Sequence, residues 1–154
     1  MKTFLLIVLT FLTTLANAQT KFVFTEASEL NLIGKIHKET PNPYHRVDTV
    51  KYKGFTEREN RQVRCPAGLA VLFRTNSTTI SVKTTFGWEY TGLTTPPLAY
   101  RGYDLYIMDN GKWRVAAAKA HDFGSYGKNK VLISNMDGQM KECMLYLPIY
   151  SEVN

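Results

Sequence analysis

The stretch Gly102-Tyr103-Asp104-Leu105-Tyr106-Ile107-Met108-Asp109-Asn110-Gly111-Lys112-Trp113 reads as a strand, a two-residue turn and a returning strand. A type I′ turn needs positive φ at both central residues, and Asn-Gly tolerates that best. Alternation sets Tyr103, Leu105 and Ile107 on one face of the first strand and Asp104, Tyr106 and Met108 on the other. Leu105 and Ile107 mark the first face as core. Asp104 and Tyr106 then occupy the second face, where they can brace a loop or contact a partner domain or a sugar. Gly102, at the strand start, suits a bend or a close approach of backbone.

Similar short runs flank this hairpin. Gly68–Thr75 is apolar nearly throughout, as in a strand buried on both sides, and Thr78–Thr85 alternates with Ile80 and Val82 facing one way. Asn76-Ser77 between them reads as a hairpin turn. Lys130–Ser134 and Cys143–Leu147 form a third pair around Asp137-Gly138, and Arg46–Lys53 alternates as well. For Trp113, inside a hairpin strand, the expectation is burial in the core; Trp88 fits core and surface equally. Thr25–Lys35 is either a helical turn or an edge segment. Thr40–Tyr44 is a turn, because Pro41 and Pro43 cannot both serve a ladder. Gly87–Pro97 and His121–Asn129 read as long loops. Short strands at this spacing indicate an all-β sandwich or barrel. Strand character in Leu145–Tyr150 persists almost to Asn154, so a sandwich short of its last strand, with an open edge, is expected.

The first 18 residues have the form of an export signal: Lys2, an apolar run from Phe4 to Leu15, and an Ala16-Asn17-Ala18 cleavage site. The expected mature chain is one domain, Gln19–Asn154, periplasmic or extracellular. No later apolar run approaches the ~20 residues of a spanning helix, so no membrane partner is expected. The net charge is +6, but the cations are scattered (Lys51, Lys53, Arg58, Arg61, Arg64, Arg74, Lys83, Arg101). A nucleic-acid reader would concentrate them in a stripe. The two cysteines, Cys65 and Cys143, allow one bridge in an oxidising compartment, worth roughly 4 kcal/mol by loop closure. The alternative is two buried thiols acting as small hydrophobes. No C-x-x-C or paired histidines suggest a metal site, and no cofactor is expected.

Catalytic patterns are weak. No serine stands in Gly-x-Ser-x-Gly, and His121, Asp122 and Ser125 lie too near one another in a single loop to favour a triad. Paired carboxylates for glycoside hydrolysis cannot be matched from the sequence, with Glu89 the position to watch. Binding is better represented. Trp88, Glu89 and Tyr90 form an aromatic–acid stretch of the kind that stacks on sugars, and Asp104 and Tyr106 are further candidates.

Gly102-Tyr103-Asp104-Leu105-Tyr106 matches the Gly-x-Asp-Leu-Tyr motif of the domain that precedes SGNH (GDSL-like) hydrolase domains in secreted bacterial esterases. Ala67–Ser77, with its Phe73-Arg74-Thr75 and polar turn, resembles another segment of that family, as do Thr79–Lys83 and Leu145-Tyr146-Leu147-Pro148-Ile149-Tyr150. The resemblance runs from about Val47 to Tyr150. It implies a jelly-roll β-sandwich, similar in shape to carbohydrate-binding modules. It also implies a role beside a hydrolase that removes acyl groups from carbohydrate. It transfers no catalytic residue, and it makes the chain a stand-alone module, one half of a split gene or a truncated product. The leading expectation is therefore a non-catalytic accessory module of a secreted SGNH-type esterase, not an enzyme by itself. Its partners are that catalytic domain and polysaccharide. The alternative is an independent secreted glycan-binding sandwich.

Overall fold

The computed structural model describes residues 22–154; the export signal and its cleavage after Ala18 lie outside the described residues. A 3-10 turn (Ala27–Glu29) leads into β1 (Asn31–Ile33), and α1 (Glu57–Val63) precedes β2 (Ala70–Thr75), β3 (Ile80–Lys83) and β4 (Phe86–Glu89). Helix α2 (Pro97–Arg101) opens directly into β5 (Gly102–Asp109), followed by β6 (Lys112–Ala120), β7 (Asn129–Ile133), β8 (Lys141–Tyr146) and β9 (Ser151–Val153). All pairings are antiparallel: a five-stranded sheet in the order β1-β2-β8-β5-β6 and two ribbons, β3-β7 and β4-β9. The sheets do not close into a barrel, and the architecture is an antiparallel sandwich.

The Asn110-Gly111 turn forms as its chemistry requires, with φ of 47° and 75°. Asp109 faces Lys112 and Met108 faces Trp113. Further along, Leu105 faces Ala117 while Tyr106 faces Val115, so Ala116 is an extra residue bulged out of β6. The ribbons form the second layer. Only Thr84-Thr85 separate β3 from β4, and these residues hold the ribbons together: Gly127 N–H donates to Thr84 O (2.8 Å) and Asn154 N–H to Thr85 O (2.9 Å). Leu69, Val71, Tyr103, Leu105, Cys143, Leu145 and Leu147 meet Ile80, Phe86, Leu132 and Val153 in one core between the layers.

Five local readings are corrected. Neither β2 with β3 nor β7 with β8 forms a hairpin. Both edges of β2 are occupied, by β1 and β8, and β3 pairs with β7. Asn76 and Ser77 lack the positive φ that a twist-matched two-residue turn needs, so the chain swings across to the other layer. The two crossovers touch where Met136 N–H donates to Thr78 O (2.9 Å). Arg46–Lys53 forms no strand, because Asp48 curls it: Oδ1 accepts from the N–H of Val50 and of Lys51, each at 2.9 Å. Gly87–Pro97 is not all loop, since β4 and the start of α2 fall at its ends. Trp113 is not in the core, being 38% exposed.

Thr25–Lys35 contains both of its alternatives, the 3-10 turn and the edge strand β1. After Leu145–Tyr146 the chain breaks at Pro148 and resumes as β9, which pairs with β4 in a two-stranded ribbon. Helix α1 was not anticipated. Thr56 Oγ1 accepts from Glu59 N–H, and the Glu59 carboxylate accepts from Thr56 N–H (2.8 Å), a complete capping box. No bridge joins the cysteines. Cys65 lies at the end of α1 with its thiol on Arg61 O (3.4 Å), whereas Cys143 belongs to the core of the sheet. Burial pushes both thiols up to about 11.

Candidate functional site

Each residue of the Gly-x-Asp-Leu-Tyr string has a distinct duty. Gly102 is in an ordinary extended conformation (φ −85°, ψ 150°), so backbone freedom is not its purpose. A Cβ there would sit 1.9 Å from the carbonyl oxygen of Leu98. The helix-to-strand junction is thus closed to any side chain. Tyr103 and Leu105 enter the core. Asp104 and Tyr106 point away from it, onto the outer face of the five-stranded sheet.

That face can be read as rows across the strands. Ala70, Tyr146, Asp104 and Ala118 form one row, and Leu72, Met144, Tyr106 and Val115 the next. A third contains Arg74 opposite Glu142 and Met108 opposite Trp113. The Tyr106 and Tyr146 rings meet edge-on at 5.9 Å. Among the described residues, the Asp104 carboxylate takes part in no hydrogen bond or ion pair.

The other predicted stretch lies elsewhere, on β4 in the opposite layer, so the five candidate positions do not form a single site. Trp88, Tyr90 and Tyr150 make a half-exposed aromatic ledge, with ring centroids 6.1 and 5.8 Å apart, and the Arg61 guanidinium lies 6.0 Å from the Trp88 ring. Glu89 turns inward. Its carboxylate lies 3.3 Å from Arg101 Nε and accepts from the Tyr126 hydroxyl. Arg101 is buried between the rings of Tyr100 (4.7 Å) and Phe123 (4.9 Å) and donates to Tyr100 OH (3.0 Å) and His121 O (3.4 Å). This is a closed ionic tie between β4, α2 and the His121–Asn129 loop.

That loop does bring His121 Nδ1 to 3.3 Å from Ser125 Oγ. The Ser125 hydroxyl, however, donates to Asp122 O (2.6 Å), and the Asp122 carboxylate faces outward to Lys130 (3.0 Å). Among the described residues no carboxylate orients the imidazole, and its buried Nε2 has no hydrogen-bond partner. Burial holds His121 below the usual histidine range. A nucleophile–base–acid relay needs the third member, and this loop does not supply it.

A cavity of about 950 Å³ opens between the layers beside the N-terminal segment, with Phe22, Phe24, Phe73, Ile80 and Val82 in its wall. Glu26 and Tyr44 on its rim are bonded to each other, and burial with that bond pushes the Tyr44 hydroxyl up to about 12. Among the described residues, no group of three or more His, Cys, Asp or Glu side chains is placed to hold a metal ion, and no helix is long and apolar enough to cross a membrane.

The family model for the GxDLY domain, described as the N-terminus of SGNH-hydrolase-type esterases, matches residues 20–154. A crystal structure described as a GDSL-like lipase from Bacteroides ovatus is similar with a TM-score of 0.76 and 39% identity. The match covers 83% of this chain but 37% of that one, so this chain spans well under half of that protein's length. No curated protein matches the chain. The chain belongs to the GxDLY family, the N-terminal domain of SGNH-hydrolase-type esterases.

Proposed function

We propose that this chain is an exported, non-catalytic module that serves an SGNH-type hydrolase domain acting on acylated carbohydrate, by holding the substrate or by packing on the hydrolase. The observation that carries this is the division of labour inside the family string. Gly102 and Leu105 are used by the fold, whereas Asp104 and Tyr106 are presented outward with the carboxylate unspent. A buried or paired carboxylate would have a structural explanation; an outward one in a defining motif points to a partner. The Trp88–Tyr90–Tyr150 ledge supports the packing role. It adjoins β9, since Tyr150 directly precedes Ser151–Val153. The incomplete relay around Ser125 supports a non-catalytic role.

Two measurements test this. The purified chain should show no turnover of small nitrophenyl esters; turnover abolished by Ser125→Ala would overturn the proposal. In the Bacteroides ovatus protein, replacing the matching domain with this one should preserve its ester hydrolysis, and deleting the domain should reduce it. Unchanged activity after deletion would remove the accessory role. N-terminal sequencing of secreted material checks export and should begin at Gln19.

A further inference from the structure

We infer that the outer face of the five-stranded sheet carries a subsite for a neutral pyranose sugar, with the Trp113 indole as its platform and Arg74, Glu142 and Asn31 as its polar contacts. This rests on the carbohydrate part of the function proposed above and places the sugar on the layer opposite the Trp88 ledge. These four residues, together with Leu72, line a cleft of about 310 Å³. That volume is at the small end of ligand clefts and suits one or two sugar rings.

The polar groups are available. Arg74 and Glu142 face each other directly in the β2–β8 register. Even so, no ion pair forms between them, and neither side chain, nor the Asn31 amide, nor the Trp113 indole N–H has a hydrogen-bond partner among the described residues. Two other Arg–Glu pairs do form, Arg101 with Glu89 and Arg61 with Glu57. A large exposed ring thus stands beside three hydrogen-bonding groups that no other described side chain occupies. Its chemistry is that of sugar recognition. The indole face accepts the apolar C–H face of a pyranose, as aromatic rings accept other apolar surfaces. The guanidinium donates to hydroxyl oxygens, the carboxylate accepts from hydroxyl hydrogens, and the amide does both. The charges of Arg74 and Glu142 cancel, so a neutral sugar fits better than a uronate. The apolar row Leu72–Met144–Tyr106–Val115 continues the surface towards Asp104, so a longer chain of sugars would meet the motif residues next.

The two tryptophans make the test direct. In Trp88→Phe, Trp113 is the sole indole, and its emission is followed during titration with xylohexaose, cellohexaose, mannohexaose and hexagalacturonate. The expected result is a saturable shift with at least one neutral hexasaccharide and none with hexagalacturonate. Trp113→Ala should weaken binding by tenfold or more, measured calorimetrically. Arg74→Ala and Glu142→Gln, both at exposed positions, should each weaken it about fivefold, the size of one hydrogen bond. Silence of Trp113 with all three neutral sugars, or Trp113→Ala binding as the parent does, overturns the subsite. A preference for hexagalacturonate overturns the argument from charge. A silent Trp113 alongside a domain-dependent hydrolase removes only the subsite. Sugar binding at Trp113 alongside a domain-independent hydrolase removes only the service to the esterase.

Discussion

Replacing Gly102 with alanine isolates one steric contact. The residue has φ −85° and ψ 150°, which alanine adopts freely, so no backbone strain enters. At such a position a glycine-to-alanine change would ordinarily stabilise by about 0.4–1 kcal/mol through the unfolded chain. Here the new Cβ lies 1.9 Å from Leu98 O and 2.7 Å from Leu98 C. Both are backbone atoms in a short helix, and relief requires moving α2 off the start of β5 by more than an ångström. Overpacking of this kind costs about 1–3 kcal/mol, and the upper end applies because no flexible side chain can yield. With about 4 °C lost per kcal/mol in a domain of this size, the melting temperature should fall by about 12 °C. Urea unfolding should give a lower midpoint at constant m. Leu98 Cδ1 also lies close, at 2.8 Å, and supplies the control. If the clash is with the carbonyl, Leu98→Ala in the Gly102→Ala background restores little. A neutral Gly102→Ala, or full rescue by Leu98→Ala, would refute the steric account of the motif glycine.

Other consequences follow from the buried polar groups. Arg101→Met leaves the Glu89 carboxylate without its cation and should cost about 3–5 kcal/mol in urea unfolding, while adding Glu89→Gln should recover much of it. Burial holds His45 and His121 below the ordinary histidine range, for His45 in spite of Glu152 at 2.8 Å. The unfolded state therefore takes up protons first. Stability contributed by these rings is complete above about pH 6.5 and falls as the pH drops below it towards the folded-state values. Urea midpoints from pH 8 to 5 should show this decline, and a flat profile would contradict the burial of both rings. The two thiols should react slowly with Ellman's reagent in the native protein, and two equivalents should react rapidly in unreduced, unfolded protein. Absence of titratable thiol after unfolding would indicate a bridge.

Legibility depended on the range of the interactions. The Asn110-Gly111 hairpin was readable because its determinants, a positive-φ pair and flanking alternation, are contiguous. The same register also fixes the face of Trp113. A two-residue turn pairs it with Met108, on the Asp104 and Tyr106 side, and the apolar nature of the ring was a poorer guide than this parity. Helix α1 carried a readable signal in Thr56 and Glu59, but Glu57–Val63 is polar except for Val63, with no buried residue, so periodicity was silent. Partners of β2 and β7 were misassigned because neighbours in sequence are usually neighbours in a sheet, and here both connections change layer. Nothing local could show that Glu89 is consumed by Arg101, or that Arg74, Glu142 and Asn31 gather near Trp113.

By itself the sequence determined the strand-rich class, the principal hairpin, which face of β5 is buried, and membership in a domain family. These follow from side-chain period and turn stereochemistry, which act within a few residues. Tertiary structure alone decided which strands pair, why Gly102 admits no side chain, and which polar groups are neutralised inside and which remain unspent at the surface. Those outcomes depend on distances between segments far apart in the chain, set only when the two layers close on their shared core.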